Sequence, residues 1–128
     1  MALITAPAAI CYNSYMNFDD YQQAIIKFDH FKPTNNPLEP GFYEKILGLT
    51  GEAGETADKF KKIIRDQSGS ITPENKLELK KELGDVLWYI ASIARYLDIS
   101  LDDIAKTNIA KLESRKKRNK LHGSGDNR

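Results

Sequence analysis

The amino-acid sequence predicts an all-α protein, a bundle of about four main helices. Three observations carry this prediction: apolar residues recur at spacings of three and four, capping residues stand where such segments begin, and no convincing strand pattern appears. The 128 residues suit a single domain with its own hydrophobic core. No repeat of solenoid length and no linker long enough to separate two domains is present.

The N-terminal part of the sequence predicts an irregular arm followed by one helix. Residues 1–16 show no clear period and are expected to form the arm. The segment NFDDYQQAIIKFDHF then has a helical pattern, with Asn17 as its N-cap and two acids in its first turn. Its apolar stripe comprises Phe18, Tyr21, Ile25 and Phe28. The proline-rich segment KPTNNPLEPG that follows predicts a loop.

Two longer helices are predicted in the middle of the chain. The second helix runs from about Phe42 to about Arg65, and the segment DQSGSITP ends it. Its recurring apolar residues are Ile46, Leu49, Ala53, Ala57, Phe60 and Ile64. Thr72 caps the third helix, Pro73 takes its first position, and the helix continues to about Leu97. This helix is broadly apolar, which predicts burial from several sides, partly by another subunit.

A fourth helix and a polar tail complete the predicted organisation. Ser100 caps this helix, which has two acids in its first turn. Its predicted buried face comprises Ile104, Ala105, Ile109 and Leu112. The helical domain is expected to span residues 17–118. Residues 119–128, NKLHGSGDNR, predict a glycine-containing basic tail able to close over phosphate.

The composition narrows the class of protein. The sequence is 41% hydrophobic and 29% charged with a net charge of +1, so it creates no global acidic or basic field. The single cysteine, Cys11, excludes an intramolecular disulfide and a cysteine-based zinc site and indicates a reducing compartment. The N-terminus lacks a basic segment typical of signal peptides, and no apolar run is long enough for a membrane span. We therefore expect a cytoplasmic protein without a membrane partner.

Two pairs of acidic residues are the chemically informative feature. Glu52 and Glu55 share one face of the second helix, and Glu82 and Asp85 repeat the same spacing on the third. If the two helices are antiparallel neighbours, four carboxylates converge, and their repulsion is relieved by a hard divalent cation. Oxygen ligands suit Mg²⁺ or Mn²⁺. Glycines beside both pairs leave room for a close approach, whereas the alternative is that the acids form a solvated face.

Other reaction classes find no support in the sequence. A ferritin-like di-iron bundle needs Glu-x-x-His pairs, and neither His30 nor His122 follows a glutamate at that spacing. No local motif supports nucleophilic catalysis by serine or cysteine. A P-loop and a GxGxxG motif are also absent from the sequence.

The fourth helix carries a cationic face. Asn108, Lys111 and Arg115 fall on one side of this helix, and the tail ends in HGSGDNR. Its glycines would allow backbone N–H groups to surround a phosphate, and Arg128 would add further donors. The alternative is a basic helix end that is stabilised by the helix dipole.

These segments resemble a known enzyme family. GLTGEAGETADKFKK, KKELGDVLWYIASIA, NIAKLESRKKR and HGSGDNR together are similar to the MazG-like nucleoside triphosphate pyrophosphohydrolases, an all-α superfamily with an E-x-x-E, spacer, E-x-x-D signature. The resemblance covers about residues 42–128. It implies hydrolysis of a nucleoside or deoxynucleoside triphosphate between the α and β phosphates, with a monophosphate and pyrophosphate as products.

The resemblance also implies residue roles. The metal ligands for Mg²⁺, or Mn²⁺, are Glu52, Glu55, Glu82 and Asp85. One of the first two glutamates orients or deprotonates the attacking water, and the sequence does not distinguish which. The expected phosphate- and sugar-binding residues are Asn108, Lys111, Arg115, Lys59, Lys62 and Arg128. Candidates for the base pocket are Trp88, Tyr89 and His30, for which a place in the hydrophobic core is the alternative.

Two expectations about partners follow. Family members are dimers or tetramers with substrate sites completed across subunits, and the apolar third helix agrees with self-association. A nucleoside triphosphate is the expected substrate, and nucleic acid is not an expected partner. The alternative function is a non-catalytic helical module that senses nucleotides or binds nucleic acid through the basic fourth helix.

Overall fold

A computed structural model describes residues 15–125 as a bundle of four helices. These are α1 (Phe18–Ala24), α2 (Pro40–Gln67), α3 (Pro73–Tyr96) and α4 (Leu101–Lys117), with a 3₁₀ turn at Ile26–Phe28. No strand occurs within the described residues, so the predicted all-α class is confirmed. The predicted N-terminal arm falls almost entirely outside the described residues.

The predicted capping residues begin three of the helices. Asn17 accepts a hydrogen bond from the backbone N–H of Asp20, and Thr72 does the same for Asn75, each within a capping box. Ser100 accepts from the N–H of Asp103 at the start of α4. These side chains satisfy backbone donors that have no partner inside the first helical turn, which explains why the starts were readable from sequence.

Helix α1 is shorter than the sequence predicts. It ends at Ala24, and after the 3₁₀ turn the chain becomes extended at Asp29. The Asp29 carboxylate accepts a hydrogen bond of 3.1 Å from the backbone N–H of Phe31, a local bond that competes with helix formation. The end of the predicted helix is therefore a loop that returns Asp29 to the protein interior.

Helices α2 and α3 form a long antiparallel pair. Gly48, early in α2, meets Tyr89, late in α3, whereas Lys59 meets Glu78 near the start of α3. Helices α1 and α4 pack at the other side of α3, around a core of Ile25, Ala91, Ala94 and Leu101. The buried Gln22 ties these elements together: it donates to the carbonyl of Ile99 (2.9 Å) and accepts from the N–H of Leu101 (3.1 Å).

The apolar stripes of α2 and α4 lie at the surface of the chain, contrary to the prediction for α4. Buried or half-buried residues recur at every turn of α2 and include Lys45, Leu49, Glu52, Thr56, Lys59 and Ile63. The exposed apolar residues include Ile46, Ala53, Ala57, Phe60 and Ile64 in α2 and Ile104, Ile109 and Leu112 in α4, whereas Ala105 of the predicted α4 face is half-buried. Helix α2 therefore turns a largely polar face towards α3, and its apolar stripe lies on the outside of the chain.

Candidate active site

The antiparallel pairing of α2 and α3 brings three of the four predicted acids together. One carboxylate oxygen each from Glu52, Glu82 and Asp85 lies within 4.8 Å of the others. Glu52 and Glu82 are half-buried, and Asp85 is exposed. Glu55 lies one turn along α2 from Glu52, is exposed, and is not part of this trio.

The electrostatics of the trio favour a cation. Burial, followed by the negative charges of Glu55, Asp85 and Glu82, raises the pKa of the Glu52 carboxyl above its ordinary value. A divalent cation would remove this repulsion, and three carboxylates offer the hard oxygen atoms that Mg²⁺ and Mn²⁺ prefer. The donor set therefore fits the metal that the sequence implies.

Lys59 is a neighbour of the trio. Its Nζ lies 3.3 Å from a Glu82 oxygen and 3.2 Å from a Glu78 oxygen, and hydrogen bonds to Glu78 and then Glu82 raise the pKa of Lys59. The lysine thus neutralises carboxylates of α3. Lys62, by contrast, pairs with Asp58 at 2.7 Å on the surface of α2. Glu78 was not singled out from sequence, although it precedes Glu82 by one helical turn.

The predicted cationic face lies apart from the trio within this chain. Asn108 and Lys111 line a cavity of about 440 Å³, together with Ile99, Asp103, Ile104 and Thr107. None of the four predicted metal ligands lines this cavity. Arg115 is buried and donates from Nη2 to the carbonyl of Gly125 at 3.3 Å, so it holds the tail against α4. Arg128 lies outside the described residues.

Tyr89 lies against the backbone of α2 beside the acids. A methyl group on Gly48 would come within 2.1 Å of the Tyr89 ring, so only glycine allows this contact. Its hydroxyl lies 3.5 Å from Glu44, and burial followed by the charges of Glu44 and Glu52 raises the pKa of Tyr89. Gly51 and Gly54, the glycines beside the first acidic pair, are not in such close contact, because a methyl group on either would meet no described atom within 4 Å.

Trp88 and Tyr21 form an aromatic wall on the α1 side of α3. Trp88 is half-buried, stands edge-on to Tyr89 with 4.9 Å between ring centroids, and lines a cavity of about 300 Å³. The cavity is otherwise lined by Met16, Tyr21, Ala24, Ile25 and Phe28. Burial, followed by the charge of Asp85, raises the pKa of Tyr21. His30 is exposed and does not line this cavity.

A buried ion-pair network, which sequence reasoning missed, lies beyond Tyr89. Lys45 is 2% exposed and lies 3.1 Å from Asp29 and 2.5 Å from Glu44. Its ammonium also faces the rings of Phe31, Trp88 and Tyr96. In sequence Lys45 resembles any surface lysine of a helix, and its spacing of seven from Glu52 is the only signal that both belong to one face.

Comparison with known proteins assigns the chain to a family. The model of the MazG nucleotide pyrophosphohydrolase domain matches residues 43–119, which span α2, α3 and α4. The chain belongs to the MazG nucleotide pyrophosphohydrolase family. All three members of the acidic trio fall within the matched residues of this MazG domain.

A phage protein is a relative of this MazG chain. The chain is similar to the Gene 37 protein of Mycobacterium phage L5, with 55% identity over 82 residues that cover 64% of this chain and 72% of the relative. No solved structure shows a significant match. Within residues 15–125, none of the helices has a stretch long and apolar enough to cross a bilayer.

Proposed function

We propose that this MazG protein hydrolyses a nucleoside or deoxynucleoside triphosphate at the α–β phosphoanhydride bond, in the presence of Mg²⁺ or Mn²⁺. The observation that carries the proposal is the convergence of Glu52, Glu82 and Asp85 from two antiparallel helices. Three acids meet between α2 and α3, with the exposed Glu55 one turn away, and Lys59 neutralises one of the three, Glu82. A triphosphate would be repelled by such a surface unless a divalent cation stood between the two.

The trio would hold the metal ion, whose charge neutralises the triphosphate and favours ionisation of water. Glu55 is exposed beside the trio, and in this proposal it would orient a water molecule and take its proton. The oxygen of that water forms a bond to the α-phosphorus as the bond from the α-phosphorus to the bridging oxygen breaks. The electron pair leaves with pyrophosphate, and the nucleoside monophosphate remains.

A substrate panel tests the proposal. The purified chain is incubated with each common NTP and dNTP in Mg²⁺ or Mn²⁺, and pyrophosphate and monophosphate are measured. Release of pyrophosphate that requires the metal and is stopped by EDTA supports hydrolysis at the α–β bond. Release of orthophosphate from the triphosphate would indicate another bond. Tight nucleotide binding without turnover would favour the alternative, a nucleotide-sensing module.

Replacement of Glu55 with glutamine should separate metal binding from catalysis. We expect kcat to fall by about a hundredfold or more, because a general base contributes that much, while Mg²⁺ affinity measured by calorimetry changes little. Glu52→Gln is the matched comparison on the same face of α2, and it should weaken metal binding directly. If Glu55→Gln lost as much metal affinity as Glu52→Gln, Glu55 would be a fourth ligand and not the base.

We also propose that two or more copies associate through the outer stripe of α2. The stripe comprises Ile46, Thr50, Ala53, Ala57, Phe60 and Ile64, at alternating steps of four and three, and all six are exposed. Such spacing gives a continuous seam of the kind that pairs helices. Exposed apolar residues of α3, Leu83 and Ile90, add to the surface that a second copy would cover. Asn108 and Lys111 would then reach substrate bound to the acids of another copy.

Introduction of a charge into the stripe tests this association. Phe60→Glu should weaken the association constant by about a hundredfold or more, because an unpaired charge inside an apolar contact costs several kcal/mol. Analytical ultracentrifugation over a range of concentrations measures the change. Leu38→Glu is the control, since Leu38 is 83% exposed in the loop before α2. A wild-type chain that stays monomeric at high concentration would contradict the proposal.

A further inference from the structure

Glu44 lies on the same side of α2 as the acidic trio. Glu44, Gly48 and Glu52 follow one another at four-residue steps, so they share a face, and Glu44 stands about 12 Å along the helix from Glu52. On α3, Tyr89 follows Asp85 by one turn, and its hydroxyl lies near Glu44. Along the α2–α3 pair, Lys59 therefore lies on one side of the acidic trio and Glu44 on the other.

The carboxylate of Glu44 has contacts that hold it in place and still has hydrogen-bonding capacity to spare. One oxygen contacts the ammonium of Lys45, while the other lies 3.5 Å from the Tyr89 hydroxyl, the long limit for a hydrogen bond. The Glu44 side chain is 43% exposed, whereas that of Lys45 is 3% exposed. A partly exposed carboxylate with spare lone pairs can therefore accept a hydrogen bond from a ligand.

The buried network behind Glu44 carries an excess of positive charge. Lys45 and Arg95 contribute two positive charges there, and Asp29 contributes one negative charge that contacts both. Glu44 supplies the second negative charge. Loss of that charge would leave an uncompensated cation inside the protein, which is costly. A carboxylate at this position accepts hydrogen bonds from a ligand and has none to donate.

We propose that Glu44 is a specificity-determining residue that accepts a hydrogen bond from the exocyclic amino group of the substrate's base. The inference rests on the proposed function, with the triphosphate at the acidic trio and the base towards Glu44 and Tyr89. Cytosine and adenine carry an amino group at the ring position where uracil and hypoxanthine carry a carbonyl oxygen. A carboxylate attracts the amino group and repels the carbonyl, so triphosphates with an amino-bearing base are the preferred substrate class.

Two matched substrate pairs test the inference. The pairs dCTP and dUTP, and dATP and dITP, differ by this exchange of amino for oxo and by the proton that the adjacent ring nitrogen carries in the oxo form. In the wild-type protein we expect kcat/KM to favour the amino-bearing member of each pair by roughly tenfold or more, since a site built around one hydrogen bond rejects an analogue that lacks it. Wild-type ratios near one, or ratios that favour dUTP and dITP, would overturn the inference.

The variant Glu44→Gln tests whether Glu44 itself causes the preference. The glutamine amide can donate as well as accept, so both ratios should fall towards one or invert, with thermal melting used to verify the fold. Glu39→Gln is the matched control, because Glu39 lies at the start of α2 and makes no side-chain capping bond. Ratios that remain at the wild-type value in Glu44→Gln would assign Glu44 to the ion-pair network alone and overturn the inference.

The experiments distinguish a failure of the proposed activity from a failure of the role assigned to Glu44. If no triphosphate releases pyrophosphate in either metal, the proposed function is wrong and the base preference with it. If pyrophosphate is released but Glu44→Gln leaves the amino-to-oxo ratios unchanged, the pyrophosphohydrolase assignment stands and only the role of Glu44 is rejected.

Discussion

Replacement of Asp85 with asparagine should reduce pyrophosphate release by more than a hundredfold. Asp85 offers one of the three carboxylate oxygens that lie within 4.8 Å of one another, and an amide in its place is neutral and has one oxygen fewer. Changes to residues that merely support metal ligands cost ten- to a hundredfold in affinity or activity, so loss of a ligand should cost more. Steady-state assays of pyrophosphate release, together with calorimetric titration of Mg²⁺, measure the two effects.

Asp98→Asn is the matched control for this experiment. Asp98 is exposed just after α3 and has a φ of 54°, a conformation that asparagine adopts readily. The control should retain activity, metal affinity and thermal stability. An Asp85→Asn protein with wild-type turnover and Mg²⁺ affinity would remove Asp85 from the metal site and with it the central argument for hydrolysis.

The trio also explains why the apolar stripe of α2 does not face α3. An apolar stripe predicts the face that a helix buries, but it does not identify the partner that buries it. In this chain the face of α2 that meets α3 carries Glu52, Thr56 and Lys59, in keeping with the proposed site between these helices. The apolar residues of α2 are exposed on the outside of the chain. A single sequence contains no signal that separates a stripe buried within the chain from a stripe that stays on its surface.

Local signals were more reliable than tertiary ones. The caps Asn17, Thr72 and Ser100 were readable because each acts on a backbone group within three residues. The meeting of Glu52 with Glu82 and Asp85 was predictable from their repeated spacing once an antiparallel pair was assumed. Neither Glu44 nor Lys45 could be singled out, because charged residues on helices are usually solvated and their partners lie far away in sequence.

The buried network around Asp29 should make the fold sensitive to a single substitution. The Asp29 side chain is 1% exposed and accepts hydrogen bonds from the Phe31 N–H and the Tyr96 hydroxyl, while it pairs with Lys45 and Arg95. Burial, followed by the hydrogen bond to Asp29, raises the pKa of Tyr96 to about 12, so this hydroxyl remains a donor. One carboxylate thereby joins the loop after α1 to both long helices.

Asp29→Asn should lower the free energy of unfolding by about 3–5 kcal/mol, because it leaves two cations buried with too little negative charge. Urea denaturation at neutral pH measures this loss. Asp66→Asn is the contrast, since the Asp66–Arg65 pair is exposed and such pairs are worth about 0–1 kcal/mol. A loss below about 1 kcal/mol in Asp29→Asn would show that the network adds little to stability.

Wild type and Asp29→Asn should also differ in how their stability depends on pH, in a direction that the pKa of Asp29 defines. Burial alone would raise the pKa of Asp29, but hydrogen bonds from Phe31, Lys45 and Tyr96 outweigh it and hold the pKa below its ordinary value of 3.8. Stability from an acid with a depressed pKa is present above its unfolded pKa and is lost as the pH falls through its folded pKa. The stability difference between wild type and Asp29→Asn should therefore be constant near neutral pH and shrink below about pH 4. A difference that persisted unchanged at lower pH would mean that lost packing, and not lost charge, destabilises the variant.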